Sequence, residues 1–190
     1  MIGPDPMPPL FYIIGPSGAG KDTLIAGARR RIATSEKLLF AHRYITRPAD
    51  TGSENHIALE LNDFAARATA GLFALDWESH DFRYGIGIEI RHWMAAGFAV
   101  AVNGSRGYLE TAAQRFPSLV PILVTASIPV LAKRLAARGR ESAEAIQARL
   151  ERNNIVAPAI HPALHIIENE KNVEDGIAAL SRTLTMQSDA

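Results

Sequence analysis

The chain has 190 residues, 47% hydrophobic and 21% charged, which is enough apolar material for one sizeable core and leaves no case for disorder. Lys plus Arg number 20 and Asp plus Glu number 20, and a formal net charge of +0 argues against a partner held by bulk charge, whether nucleic acid or anionic membrane. With 0 cysteines, disulfides, thiolate zinc sites, iron–sulfur clusters and a cysteine nucleophile are excluded together, and any metal must be held by oxygen or imidazole.

Met1 to Pro9 carries Pro4, Pro6, Pro8 and Pro9 and no basic residue, unlike a secretory signal, and no apolar run approaches the roughly 20 residues of a membrane span. The expectation is a cytoplasmic protein with a loose leader. Leu10 to Ile14 is a continuous apolar, β-rich run closed by Gly15, the pattern of a strand buried on both faces of a parallel sheet. A helix follows, with Leu24, Ile25, Ala28 and Ile32 at helical spacing and Arg29, Arg30 and Arg31 near its end.

Leu38 to Ile45 reads as a second strand, and Thr46 to His56 as a polar binding loop. Asn62 is placed to cap a helix from Asp63 to about Ala70, ended by Gly71; Phe73 to Glu78 and Phe82 to Ile86 form a strand pair. Ile88 to Ala96 is read as a helix and Phe98 to Val102 as a buried strand emptying into Asn103-Gly104-Ser105-Arg106. Val120 to Val124 is a further strand, and Pro129 suits the first turn of a helix running to about Arg138. Ser142 caps a helix to about Arg152, Leu164 to Ile167 is a last strand, and Asn172 starts a terminal helix. The alternation predicts an α/β fold with a parallel sheet covered by helices on both faces, whose ligands bind at the C-terminal strand ends.

Gly15-Pro16-Ser17-Gly18-Ala19-Gly20-Lys21-Asp22-Thr23 has the phosphate-loop form G-x-x-x-x-G-K between a buried strand and a helix, the context in which backbone N–H groups cradle phosphates and Lys21 reaches the β- and γ-phosphates. Asp22 stands where a serine or threonine hydroxyl normally ligates magnesium, so either Asp22 or Thr23 serves as the metal's oxygen ligand. Arg43, Arg47, Arg83 and Arg106 lie in or beside predicted loops and supply guanidinium forks for phosphate oxygens. Glu54, Asn55 and His56 offer the donors and acceptors that sugar hydroxyls want. His42, His80, His92, His161 and His165 have no metal-ligand spacing. Arg134, Arg138, Arg140 and Arg149 surround Gly139 and read as a basic lid closing over the nucleotide, with Arg138 leading.

Gly-Pro-Ser-Gly-x-Gly-Lys resembles the guanylate kinase family, and the likeness continues through Thr46-Arg47-Pro48 with Gly52-Ser53-Glu54, Phe73 to Trp77, Tyr84-Gly85, and Arg134-Leu135 with Arg138, Glu141 and Arg149, over residues 10 to 155. Lys21-Asp22, His42 to Pro48, Glu54-Asn55-His56, Gly71 to Leu75, Arg83 to Ile86 and Val102 to Arg106 resemble one branch, the ribose 1,5-bisphosphate phosphokinases. Ala49-Asp50 in place of a second arginine, and His56 in place of a tyrosine, depart from a guanine-nucleotide site.

The resemblance implies a P-loop kinase that uses ATP and Mg2+ to convert ribose 1,5-bisphosphate to 5-phosphoribosyl 1-diphosphate in phosphonate breakdown. It implies ATP contacts from residues 15 to 23 with Arg134 and Arg138, and substrate contacts from Arg43, Arg47, Glu54, Asn55, His56, Tyr84, Asn103, Arg106 and Arg149. Lys21 and Arg138 are the catalytic pair. One domain over 1–190 is expected, with its core at about 10–185, a substrate-binding insertion at about 43–87 and a lid at about 138–152. The rival readings are a nucleoside monophosphate kinase and a non-catalytic guanylate kinase-like binding module; the intact Lys21 and the lid arginines speak against the second. Oligomeric state is left open between monomer and homodimer.

Overall fold

The computed structural model describes residues 7–32, 37–48, 54, 56–79, 81–137, 161–170 and 172–186. In chain order its elements are β1 (Leu10–Ile14), α1 (Lys21–Arg31), β2 (Leu38–Phe40), β3 (Arg43–Ile45), β4 (Ile57–Ala58), α2 (Leu61–Thr69), β5 (Phe73–Ser79), β6 (Phe82–Gly87), α3 (Glu89–Ala95), β7 (Ala99–Asn103), α4 (Leu109–Arg115), β8 (Leu119–Thr125), α5 (Ile128–Ala137), β9 (His165–Glu168) and α6 (Val173–Met186), with a 3-10 turn at Arg106–Tyr108.

Every residue of β1 is 0% exposed. A strand without a polar face is stable only inside a sheet covered on both sides, and β1 is the middle strand of a parallel sheet ordered β2-β7-β1-β8-β9. Alternation along β1 then divides the core. Phe11 and Ile13 pack with Leu24, Leu131, Ile177, Leu180 and Leu184 under α1, α5 and α6. Leu10, Tyr12 and Ile14 pack with Ile90, Met94, Leu109 and Phe116 on the other side, and with Ile45, Leu75, Trp77, Tyr84 and Ile86.

Those last residues belong to a second sheet, ordered β4-β3-β6-β5, in which β3 pairs parallel with β4 and antiparallel with β6. Two expectations are corrected here. The single strand expected over Leu38 to Ile45 is two strands in two sheets: β2 pairs with β7, Ala41 N–H still bonds Ala101 O at 3.0 Å, and the chain then turns so that β3 joins β6. The polar pair His42-Arg43 marks a break inside the stretch, but nothing local says which sheet each half joins. The helix expected from Asp63 begins at Leu61, after an extended Glu60 that makes no side-chain cap, so Asn62 lies inside the first turn and caps nothing.

The parallel sheet, the helices on both its faces and the strand–loop–helix opening agree with the sequence-based fold. Asn172 does cap the terminal helix, its Oδ1 accepting from Asp175 N–H at 2.8 Å. Among the described residues no helix is long and apolar enough to cross a membrane. The helix expected between Ser142 and Arg152 lies outside the described residues, as does most of the leader.

Candidate active site

The loop from Gly15 to Gly20 runs from the C-terminal end of β1 into α1, and three of its glycines have backbone angles closed to most side chains: φ is +151° at Gly15, +87° at Gly18 and +92° at Gly20. At Gly15 a Cβ would lie 2.0 Å from Val124 O, so the loop leaves the sheet by passing directly over the backbone of β8. Ala19 N–H bonds Pro16 O at 3.2 Å, closing the turn. Lys21 Nζ donates to Gly15 O at 2.7 Å and to Pro16 O at 3.3 Å, which folds the ammonium back over the loop mouth. A ring of loop amides at a helix N-terminus with an ammonium across it is an anion-binding arrangement.

Asp22, in the first turn of α1 after this loop, enters a polar cluster with Asn103 of β7, Arg43 of β3, and Arg47 and Glu54 beyond that strand. Asn103, 6% exposed at the end of β7, donates through Nδ2 to Asp22 Oδ1 at 2.8 Å and to Glu54 Oε1 at 3.4 Å. Glu54 is gripped through both oxygens by Nε and Nη2 of Arg43, and Arg47 Nη2 lies 3.7 Å from its Oε2. The Arg43 guanidinium also rests over the Tyr84 ring, 5.1 Å from its centroid. Tyr84 stacks on Trp77 at 5.6 Å and 5°, and Trp77 on Tyr108 at 5.6 Å, so an aromatic ladder backs the arginine.

Burial pushes the Tyr84 phenol up, the cations of Arg43 and Arg47 pull it down, and the carboxylates of Glu54 and Asp22 add to the rise. Arg47 Nε and Asn103 Oδ1 are buried without a hydrogen-bond partner among the described residues. A buried donor and a buried acceptor left open beside a charge cluster are what a bound molecule would satisfy.

Among the sequence-predicted residues, Asp22, Arg43, Arg47, Glu54, Tyr84 and Asn103 are thus brought together, and Lys21 precedes Asp22 at the start of α1. His56 is buried in the same stretch with both ring nitrogens on backbone carbonyls, Nδ1 at 3.2 Å from Glu54 O and Nε2 at 3.0 Å from Arg47 O, which fastens the stretch to itself. Arg83 does not join the cluster. It alternates with Tyr84 along β6, points to the opposite face and pairs with Glu78 at 2.7 Å on the hairpin surface.

Arg106 opens the 3-10 turn after β7, where burial lowers its pKa, and Arg134 on α5 reaches Ala19 O at 3.5 Å. Thr23 is exposed on α1. Asn55, Arg138 and Arg149 lie outside the described residues. Sequence reasoning missed the aromatic ladder through Tyr108, and it missed Asn169, which donates to Ala19 O at 2.8 Å from the end of β9. No motif spacing links residues 150 positions apart, although the location of Asn169 at a C-terminal strand end was a usable sign.

No protein-family model matches the chain. It is 57% identical over 146 residues to the ribose 1,5-bisphosphate phosphokinase of Desulfomicrobium baculatum, covering 77% of this chain and 78% of that protein. It is 50% identical over 166 residues to the one from Burkholderia pseudomallei, covering 87% and 89%. The chain belongs to the ribose 1,5-bisphosphate phosphokinase family. The enzyme of the same name from Thiobacillus denitrificans is 48% identical over 183 residues, 95% of this chain and 93% of that one, so the family likeness extends through both sheets.

Among solved structures, guanylate kinase from Anaplasma phagocytophilum matches with a TM-score of 0.68 at 13% identity, over 97% of this chain and 88% of that one. A sugar kinase from Janibacter matches at 0.52 and 17% identity, over 95% of each. Both likenesses concern the fold, which is that of the P-loop kinases. Membership of a kinase family brings with it a nucleotide substrate and a small-molecule acceptor.

Proposed function

We propose that the chain transfers the γ-phosphoryl group of ATP to the 1-phosphate of ribose 1,5-bisphosphate, giving 5-phosphoribosyl 1-diphosphate and ADP, and so supplies that diphosphate during phosphonate breakdown. The observation that carries the reading is the hydrogen-bonded line Asp22–Asn103–Glu54–Arg43, which ties the first turn of the phosphate-loop helix to Arg43 on the second sheet, with Arg47 beside it. An acceptor bearing two phosphates needs such forks, and a donor nucleotide needs the loop.

In this reading a non-bridging oxygen of the 1-phosphate forms the new P–O bond, the bond between the β-phosphate's bridging oxygen and the γ-phosphorus breaks, and ADP leaves with that oxygen. The attacking oxygen is already ionised at neutral pH, so no general base is required. Lys21 swings from the carbonyls of Gly15 and Pro16 onto the β- and γ-phosphates. Arg43 and Arg47 exchange Glu54 for substrate phosphate, and Asn103 Oδ1 accepts from a sugar hydroxyl. Arg134 and Arg138 complete the ATP site, and Arg106 and Arg149, with Asn55, His56 and Tyr84, complete the acceptor site.

The second sheet within 43–87 acts as the acceptor-binding insertion of a single guanylate kinase-like domain, and 138–152 as its lid. Among the described residues no three acidic or imidazole side chains form a metal site by themselves. That suits Mg2+, a hard cation completed by waters and substrate phosphates around one or two protein oxygens. Asp22, turned inward by Asn103, would hold it more directly than the exposed Thr23. A bound magnesium supplies charge neutralisation on the phosphates.

Phosphorus NMR of the protein with ATP and Mg2+, offered ribose 1,5-bisphosphate and GMP in separate tubes, tests the reading. A sugar diphosphate signal is expected with GMP untouched. Conversion of GMP alone would replace the proposal with a nucleoside monophosphate kinase, and ATP binding without turnover of either would favour a binding module.

A further inference from the structure

We infer that Asn169 is a positioning residue for the phosphate loop: its side-chain amide holds the Ala19 carbonyl turned out of the loop, which keeps the neighbouring N–H groups pointed at the nucleotide phosphates. The inference rests on the reading of residues 15–20 as the nucleotide's phosphate cradle. Ala19 is 0% exposed and stands between Gly18 and Gly20, whose φ angles of +87° and +92° turn successive peptides to opposite sides. A chain that turns its N–H groups inward by this alternation turns a carbonyl outward, and outward here is into the protein. A buried carbonyl needs a donor. Asn169 Nδ2 supplies it at 2.8 Å, in a hydrogen bond that is itself buried.

The amide has little freedom to do anything else. Asn169 is 3% exposed and its own N–H bonds Thr125 O at 2.8 Å, which anchors it at the end of β9 beside β8. A Cβ on Gly20 would lie 2.6 Å from Nδ2, and one on Gly176 would lie 2.9 Å from Oδ1, so the amide plane is clamped between two glycines from α1's start and α6. The next residue, Glu170, accepts from both N–H and Oγ of Ser127, just before α5. The short turn after β9 therefore braces the loop and the start of the arginine-bearing helix together. Arg134 Nη1 reaches the same Ala19 carbonyl only at 3.5 Å, the outer limit of a hydrogen bond and far weaker than the amide's 2.8 Å contact.

Without the amide, the peptide joining Ala19 to Gly20 is released, and glycine's tolerance lets it flip and present an oxygen to the phosphates. The test uses Asn169→Ala and the isosteric Asn169→Asp in the full chain, with ADP binding by calorimetry and both Michaelis constants. In Asn169→Ala, ADP affinity and the KM for ATP should worsen by at least about tenfold while the KM for the sugar bisphosphate stays within about twofold. Equal changes in both constants, or none, would overturn the inference, since a general loss of packing has no preference between the two substrates.

Asn169→Asp keeps the shape and separates donor chemistry from volume. Above the carboxyl's pKa it sets acceptor against acceptor; once protonated, it donates to Ala19 O again. Its ADP affinity, divided by the wild type's at each pH to remove contributions from Lys21, Asp22, Arg134, Glu170, Glu174 and Asp175 around the loop, should recover as pH falls from 8 to 6. A flat ratio would also overturn it. Failure of the wild type to bind ADP at all would remove the cradle reading first, and is distinguishable from both.

Discussion

Lys21 illustrates how little of a site residue's value is structural. Its ammonium rests on two carbonyl oxygens at the loop mouth, contacts that water can replace. Lys21→Ala should therefore abolish turnover while the urea-denaturation stability stays within about 1 kcal/mol of wild type. A larger loss would make Lys21 a brace of the loop rather than a phosphate ligand. Glu54 is the opposite case. Held by both nitrogens of one arginine edge and approached by a second arginine, it is part of a nearly closed charge network in which each member depends on the rest.

Among elements, the contact that seats the phosphate-loop helix is the crossing of α1 and α6. Gly27 is buried there, and a Cβ on it would lie 2.3 Å from Ile177 Cδ1 and 2.5 Å from Cγ1. Helix propensity alone would make Gly27→Ala stabilising by about 1 kcal/mol. The crossing decides otherwise, and the substitution should destabilise by about 1–3 kcal/mol, because the helices must part. In a double-mutant cycle with Ile177→Ala the two losses should fall short of additivity by more than about 0.5 kcal/mol, since the shortened side chain admits the new methyl. Additive losses in urea would mean that the cost lies elsewhere.

The whole molecule carries a pH dependence set by buried phenols. Tyr12 is 0% exposed under the site, its hydroxyl bonded to Ser105 N–H at 3.0 Å and Ser105 O at 3.3 Å, and burial raises its pKa well above the ordinary value; Tyr44 and Tyr84 shift the same way. A raised folded-state pKa means that this contribution is complete below the unfolded value and is lost as pH climbs above it. Stability should hold through neutral pH and fall beyond pH about 10, where the unfolded chain ionises and the folded one resists. Tyr12→Phe should cost about 1 kcal/mol at pH 8, and its urea midpoint should fall less steeply than wild type's between pH 9.5 and 11. An equal slope would take Tyr12 out of the dependence.

The sequence by itself determined those features that local chemistry dictates. The apolar run Leu10–Ile14 required a central strand, the glycines after it a tight loop into a helix beginning at Lys21, and Asn172 marked the last helix, because backbone geometry and solvation act over a few residues. Tertiary structure alone decided that Leu38 to Ile45 divides between two sheets, that Arg83 faces away while Arg43 meets Glu54, and that Tyr108, Trp77 and Tyr84 stack behind that pair. It also brought Asn169 to Ala19 across 150 positions. Such pairings follow from which strand lies next to which, a choice made by burying the whole core at once, and no short window of sequence contains it.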